Sequence, residues 1–350
     1  MFLKMSSIKS TTRYVVAIII VLISTLGNAR ETEDDLEQTI RTSIVDYINS
    51  KTDRFGNHFL IAGFVSLVFH DCVGGCDGCI NDIHPQNAPV LRYINEAEAV
   101  YINYSPSLSR ADFWALAGIV ATDMALGYNN GSNVTQLVYR PGRVDCPTSP
   151  YTKKFNKFPT NGGHGDFNDM LDFLQRQFNY SDRQVVAIMG AHNLGRMSRE
   201  HSGFIGPWTP CPDVLDNEYY IYLVQNDWVQ VNTVVKTTGH RDIHDRFQWS
   251  DRSHVPDAFD HNVEKYLNVD IAIYRNISTT SNGKVEVPLN QTSFSRTKAI
   301  VEEFAGNNDI WLKEFISAFQ AMIQSGCEQK GLKLSPIEKQ YPLELPWSDL

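Results

Sequence analysis

Apolar residues recur every three to four positions through much of this chain. Leu36, Ile40, Ile44 and Ile48 fall on one side of DDLEQTIRTSIVDYI, a stripe that buries one helix face and leaves the other to solvent. The segments HFLIAGFVSLVFH (58–70), SRADFWALAGIVATDMAL (109–126), GDFNDMLDFLQRQF (165–178) and NDIWLKEFISAFQAMIQSG (308–326) behave similarly. Ser109 and Ser181 stand ahead of RADFW and DRQVVAIMG, where a hydroxyl accepts the first unpaired N–H groups of a helix. Strand signals are few and short, namely LVYR (137–140) and KVEVPL (284–289). Proline and glycine collect at 141–165 and 203–213, which predicts loops within one body, not linkers. The pattern predicts a mainly α single domain.

The first residues follow a different rule. Lys4, Lys9 and Arg13 precede YVVAIIIVLISTL, and the small residues Gly27 and Ala29 come after it. Positive region, short apolar core and small-residue site read as a secretory signal peptide over 1–29. The apolar run is shorter than the ~20 residues a membrane span needs, although an uncleaved anchor is the alternative. The mature domain is then 30–350, with no membrane span after cleavage. Export favours disulfides, and the six cysteines, Cys72, Cys76, Cys79, Cys146, Cys211 and Cys327, are an even set. Sequons at Asn103, Asn130, Asn133, Asn179, Asn276 and Asn290 add to the expectation of a secreted glycoprotein. The net charge is −9, and near −12 without the three basic residues of the leader. An acidic chain is a poor partner for nucleic-acid phosphates, so small molecules are the expected partners.

The chemistry concentrates around histidines. SLVFHDCVGGCDGC places His70 at the end of an apolar run, with Ser66 and Gly63 one and two turns back on the same face. A lone histidine there is more often a satisfied core residue than a chemical one. Zinc held by His70, Cys72, Cys76 and Cys79 is a second reading, though the spacing is no common finger and exported thiols oxidise. A second apolar helix, DRQVVAIMGAHNLGR, runs into His192 between Gly190 and Gly195, which let another group approach closely.

FHDC (69–72), SRADFWALAG (109–118), RPGRVD (140–145), MGAHNLG (189–195) and SGFIGPW (202–208) occur in that order. With these five blocks the chain resembles the plant-type haem peroxidases over roughly residues 33–326. The resemblance implies a two-lobed helical fold with one haem b between a distal lobe (about 30–145) and a proximal lobe (about 146–326), followed by a surface tail over 327–350. It implies hydrogen peroxide as oxidant, a small one-electron reducing substrate, and a chain that works as a monomer. His192 matches the proximal iron ligand and Asp270, in LNVD, the carboxylate that hydrogen-bonds it. Such a partner makes the imidazole more anionic and favours higher iron oxidation states; the alternative for Asp270 is an ordinary acid near a helix start. Trp208 falls where intracellular members, such as cytochrome c and ascorbate peroxidases, carry tryptophan. It shares an oxidising equivalent or packs under the haem, and packing is the favoured reading. On the distal side His70 matches the acid–base group, Asn87 its hydrogen-bonding asparagine, and Phe69 the distal aromatic of secreted members.

Ser66 breaks the pattern. The family carries arginine four residues before the distal histidine, a fixed cation facing the departing hydroxide. Serine offers one neutral hydrogen bond and a short reach. The expectation is a weakened or specialised peroxidase, with a haem-binding protein that does not turn over as the alternative and a haem-free disulfide scaffold as a third reading. Arg92 is a candidate substitute that no motif supports. His201 stands where ascorbate enzymes carry arginine, and Ser198 where some members place a propionate-contacting histidine. The acids that bind manganese in one fungal branch are replaced by Phe59, Gly63 and Ser198. The resemblance also brings cation sites. Asp71 and Asp77 in DCVGGCD match a distal calcium site, although Cys79 replaces a ligating hydroxyl; Asn193, Thr209 and Asp216 match a proximal one. Cys72–Cys76 resembles the family's short distal bridge. Cys79–Cys146 with Cys211–Cys327 is one of three pairings open to the other four.

Overall fold

The computed structural model describes residues 36–127, 137–153, 158–159, 165–233, 246–257 and 260–325. The leader, Asn130, Asn133, Cys327 and the tail lie outside these residues. The first helix, α1, occupies 36–49. It is followed by α2 (Leu60–Gly74), α3 (Leu91–Tyr101) and α4 (Arg110–Gly127). The second half contributes α5 (Phe167–Phe178), α6 (Asp182–Met189), α7 (Arg199–Ser202), α8 (Glu218–Gln225), α9 (Asn268–Ala272), α10 (Lys298–Gly306) and α11 (Asn308–Gln324). The fold is mainly α.

The predicted starts have clear causes. Ser109 Oγ accepts the Asp112 amide at 3.1 Å. Ser181 and Gln184 form a reciprocal capping box at the start of α6. Asp166 and Asn307 cap α5 and α11 through side-chain oxygens that accept first-turn amides, two signals the helical periodicity alone did not mark. The α2 helix does not end at His70. It continues through Asp71 and Cys72 to Gly74, and stops where Gly75 takes a positive φ of 125° and its N–H returns to the Asp71 and Cys72 carbonyls.

Sheet is confined to three two-stranded pieces among the described residues. Strand β1 (Ile80–Asn81) pairs parallel with β2 (Tyr151–Thr152), and β3 (Arg196–Met197) antiparallel with β4 (Gly206–Pro207). The longest pair is β5 (Trp228–Asn232) with β6 (Phe247–Asp251), also antiparallel. The two sequence-predicted strands are not strands. The Val138 N–H and C=O in LVYR are satisfied by the Gln320 side chain, and KVEVPL contributes only an isolated bridge between Thr279 and Val285. Side chains from distant segments, Gln320 for Val138 and Gln230 for the Val285 N–H, take up these backbone groups, so no ladder forms.

Helix α2 packs on α4 and α3, α8 on α10, and α6 on α11, while α11 also reaches α2. The buried apolar residues of both halves form one contiguous cluster. A shared core of this kind fixes α2 relative to the turn after α6, and those two elements carry the histidines.

Candidate active site

His70 lies in the last turn but one of α2, and His192 in a short 3-10 turn, Gly190–Asn193, that follows α6 directly. Both line one cavity of about 360 Å³. Phe69, Met170, Phe173, Leu174, Met189 and Phe204 are among its apolar walls. The glycines flanking His192 make room for protein, not for a ligand. A Cβ on Gly190 would come within 2.6 Å of Trp311 and Tyr220, and one on Gly195 within 2.5 Å of Ala62.

On the His70 side, the ring Nδ1 and Asn87 Oδ1 are 2.8 Å apart. The Asn87 amide donates through Nδ2 to the Asn81 carbonyl at 2.8 Å, so its oxygen must face the ring. Nδ1 therefore donates, and Nε2 keeps its lone pair. Burial pushes the His70 pKa down to about 4, opposed by the Asn87 hydrogen bond and aided by nearby His84. The imidazole is neutral at ordinary pH, as a proton acceptor must be. Phe69 meets His70 edge-on at 5.6 Å, and Phe158, which no motif marked, covers the same ring at 4.8 Å.

The His192 side is built around one carboxylate. Asp270 is fully buried and accepts four hydrogen bonds. His192 Nδ1 at 2.6 Å and the Tyr219 hydroxyl at 2.9 Å reach Oδ1. Trp208 Nε1 at 2.9 Å and the Leu267 N–H at 2.7 Å reach Oδ2. The Trp208 indole also stacks on the His192 ring with centroids 4.5 Å apart. With Nδ1 committed to Asp270, His192 has only Nε2 to offer a metal, and its side chain is 31% exposed, towards the cavity. Tyr219, like Phe158, is a site residue that sequence reasoning missed; its signal is its place in DNEYY, 51 residues from Asp270.

Ser66 lines the cavity beside His70 and Phe69. Arg92 lines it too, at the side where Ser198 and His201 stand. Its guanidinium donates to the Tyr93 hydroxyl and stacks on the Phe59 and Tyr93 rings, while its Nε is buried without a partner. Ser198 Oγ and His201 Nδ1 are 3.0 Å apart; burial and then Arg92 hold the His201 pKa down. A cation lining the wall of an apolar cavity suits a planar group that carries carboxylates. The cavity, its free imidazole and this rim fit haem b.

The cysteine loop is not a zinc site, because Cys72–Cys76 and Cys79–Cys146 are disulfides. Cys211 is exposed, and its remaining candidate partner is outside the described residues. Asp71 is buried at the end of α2, not on the turn. Its Oδ1 accepts the Asp77 and Cys79 amides at 3.2 and 3.1 Å, and its Oδ2 has no hydrogen-bond partner. Burial, then the Asp77 charge, push its carboxyl up to about 8. At the second predicted cation site the Thr209 hydroxyl donates to the Asn193 carbonyl at 3.0 Å. Asn193 Nδ2 donates to the Val214 carbonyl, and its Oδ1 takes the Tyr219 N–H. Asp216 accepts the Glu218 amide at 3.0 Å. The amide of Asn193 thus presents donors where a cation would need acceptors. Among the described residues no helix is long and apolar enough to cross a membrane.

Comparison with known proteins places this geometry. The family model described as Peroxidase matches residues 41–307. A Yarrowia lipolytica protein whose name carries "heme-binding peroxidase" is 26% identical over 223 residues, 63% of this chain and 59% of that one. The mitochondrial cytochrome c peroxidase of Neurospora crassa is 36% identical over 126 residues, 35% of this chain and 31% of its own length. The cytosolic L-ascorbate peroxidase 1 of Oryza sativa subsp. indica is 34% identical over 122 residues, 35% and 44% of the two chains. This chain therefore spans less than two thirds of each of these relatives.

Proposed function

We propose, from the premise that this chain belongs to the peroxidase family, that it is a haem b enzyme that reduces hydrogen peroxide at the expense of a one-electron donor. One observation carries the reading. Two imidazoles from separate buried segments line a single apolar cavity, each fixed through Nδ1 by a partner suited to a different role. Haem b would supply there the redox-active iron at which the O–O bond breaks.

The chain's own residues do the rest. Asp270 fixes the His192 tautomer so that Nε2 is the ligand, and strengthens it as a donor. Asn87 keeps the His70 Nε2 free, so that it takes a proton from the inner oxygen of peroxide and returns it to the outer one. Phe69 and Phe158 cover the His70 ring and keep bulk water from competing for that proton. Arg92, a cation lining the cavity with Ser198 and His201, would hold a haem carboxylate at the rim. Ser66 supplies a single neutral hydrogen bond where a cation would stabilise the leaving oxygen. The enzyme is accordingly slow in peroxide cleavage, and a haem protein without turnover is the second reading that Ser66 favours.

The protein would act outside the cell. Asn103, Asn179, Asn276 and Asn290 are all exposed, and two disulfides suit an oxidising compartment. The Oδ2 of Asp71 and the neighbouring Asp77 would take up calcium.

Reconstitution with haem b followed by rapid mixing with hydrogen peroxide tests the proposal. A Soret band that shifts with peroxide and recovers with a phenol is the expected result. A band that never responds would leave only the second reading, and no band at all would remove both.

A further inference from the structure

The Asp270 cluster continues beyond the haem cavity, and Tyr219 is its outer member. The Tyr219 ring lies 6.3 Å from that of His192 and stacks on Tyr266 at 5.2 Å, with only 9° between their planes. Tyr266 in turn lies 4.3 Å from Trp228. Centroid separations of this size put aromatic rings in van der Waals contact, so an unbroken ring series links the carboxylate beneath His192 to Trp228. All three rings are buried. Trp228 is also one wall of a second cavity, of about 510 Å³, that shares no residue with the first.

The environments along this series are unequal. The Trp228 indole N–H is shared between the Tyr222 and Leu223 carbonyls at 3.2 and 3.3 Å, in the last turn of α8. The C-terminal end of a helix is its negative end, so these carbonyls favour a positive charge on the indole. The Tyr266 hydroxyl donates only to the Tyr219 carbonyl, which cannot take its proton. Tyr266 therefore serves as a bridge. The Tyr219 hydroxyl donates to Asp270, but that carboxylate already accepts three other hydrogen bonds and is a poor base for a fourth proton. Tyr219 thus passes the hole on, and Trp228 is the ring where it comes to rest.

We infer that Tyr219, Tyr266 and Trp228 form an electron route from the second cavity to the haem site, and that this cavity takes a planar phenolic donor too bulky for the first. The inference rests on the haem peroxidase reading. Hydrogen peroxide is the two-electron oxidant and leaves as water. Trp228 gives one electron to the oxidised haem and becomes a radical cation that keeps its indole proton. The phenol then gives one electron to Trp228 and its hydroxyl proton to solvent. Two such passes return the haem to rest. Leu223, Trp228 and Ile271 offer the phenol an apolar floor, and Arg275 and Lys284 offer a polar rim.

The experiment uses the deglycosylated haem-loaded chain, because Asn290 also stands at that rim. One equivalent of peroxide is added, the sample is frozen within milliseconds, and electron paramagnetic resonance is recorded. In parallel a nitroso spin trap is added and the adduct located by peptide mass. An indole radical and an adduct on Trp228 are expected, both lost in Trp228→Phe. Oxidation of 4-hydroxyphenyl groups tethered to dextran should fall roughly tenfold in that variant while peroxide consumption by a small phenol is unchanged. The adduct is read on unaltered protein, so a misfolded variant would not obscure the answer. A haem that reacts with peroxide but leaves Trp228 unmodified, or a signal that survives Trp228→Phe and disappears in Trp208→Phe, would overturn the route alone. A haem that does not react with peroxide would overturn the underlying reading, and the route with it.

Discussion

Asp270 receives the His192 ring through a 2.6 Å hydrogen bond while holding three other donors on the same buried carboxylate. Removing the acceptor would orphan all four groups beneath the cavity floor. Asp270→Ala should therefore cost about 3 kcal/mol or more in the haem-free protein, the range for breaking a buried charged network. Urea unfolding of the two apoproteins measures this directly. A loss under about 1 kcal/mol would mean that the four donors find other partners.

The Asn87–His70 contact governs the pH dependence. His70 titrates near 4 because burial outweighs the stabilising hydrogen bond to Asn87, and its neutral form is the proton acceptor. The rate constant for peroxide should be flat from neutral pH down to about 5 and fall as pH drops through 4. Asn87→Val removes the contribution that raises the pKa, so the fall moves to lower pH, while loss of ring orientation lowers the plateau roughly tenfold. Stopped-flow pH profiles of both proteins decide the point. A wild-type inflection near 6.5 would show that burial does not act on this ring as described.

Why some of this was readable and some was not follows from distance along the chain. Helix α2 announced itself through a run of apolar residues, and the capping box of Ser181 and Gln184 lies within four residues. His70, Asn87, His192 and Asp270 were legible as motif positions, each inside a short block. The β5–β6 pair was missed because Gln248 and Ser250 are polar yet buried, which hides the usual alternation. Gln248 is accommodated by exchanging hydrogen bonds with the Ile205 backbone, 43 residues away. Tyr219, Phe158 and the rim position of Arg92 likewise depend on tertiary contacts that no local pattern encodes.

Cys79 and Cys146 tie the end of the distal loop to the segment entering β2 across 67 residues. In the loop-entropy description a bridge of that span stabilises by about 4 kcal/mol. Replacing both cysteines by alanine should lower unfolding free energy by roughly 2–4 kcal/mol, whereas opening the Cys72–Cys76 bridge, which spans only 4 residues, should cost clearly less. Chemical denaturation of the two double variants tests the ranking. Equal losses would mean that packing, not chain entropy, sets the contribution.

Ser66 sits one helical turn before His70 and faces the same cavity, so an arginine placed there would project over the site where the O–O bond breaks. A fixed cation at a developing negative charge is worth on the order of 3 kcal/mol, and the serine hydroxyl recovers only a small part of that as a neutral donor. Ser66→Arg should therefore raise the second-order rate constant for peroxide by roughly a hundredfold without moving the His192-side spectrum. Arg92 does not take the place of that cation, because its guanidinium is stacked on Phe59 and Tyr93 and engaged with the Tyr93 hydroxyl. Arg92→Met should accordingly weaken haem retention, measured by transfer to apomyoglobin, and leave the peroxide rate constant of the loaded protein within about threefold. The opposite pattern, no gain from Ser66→Arg together with a large rate loss in Arg92→Met, would assign the missing cation to Arg92.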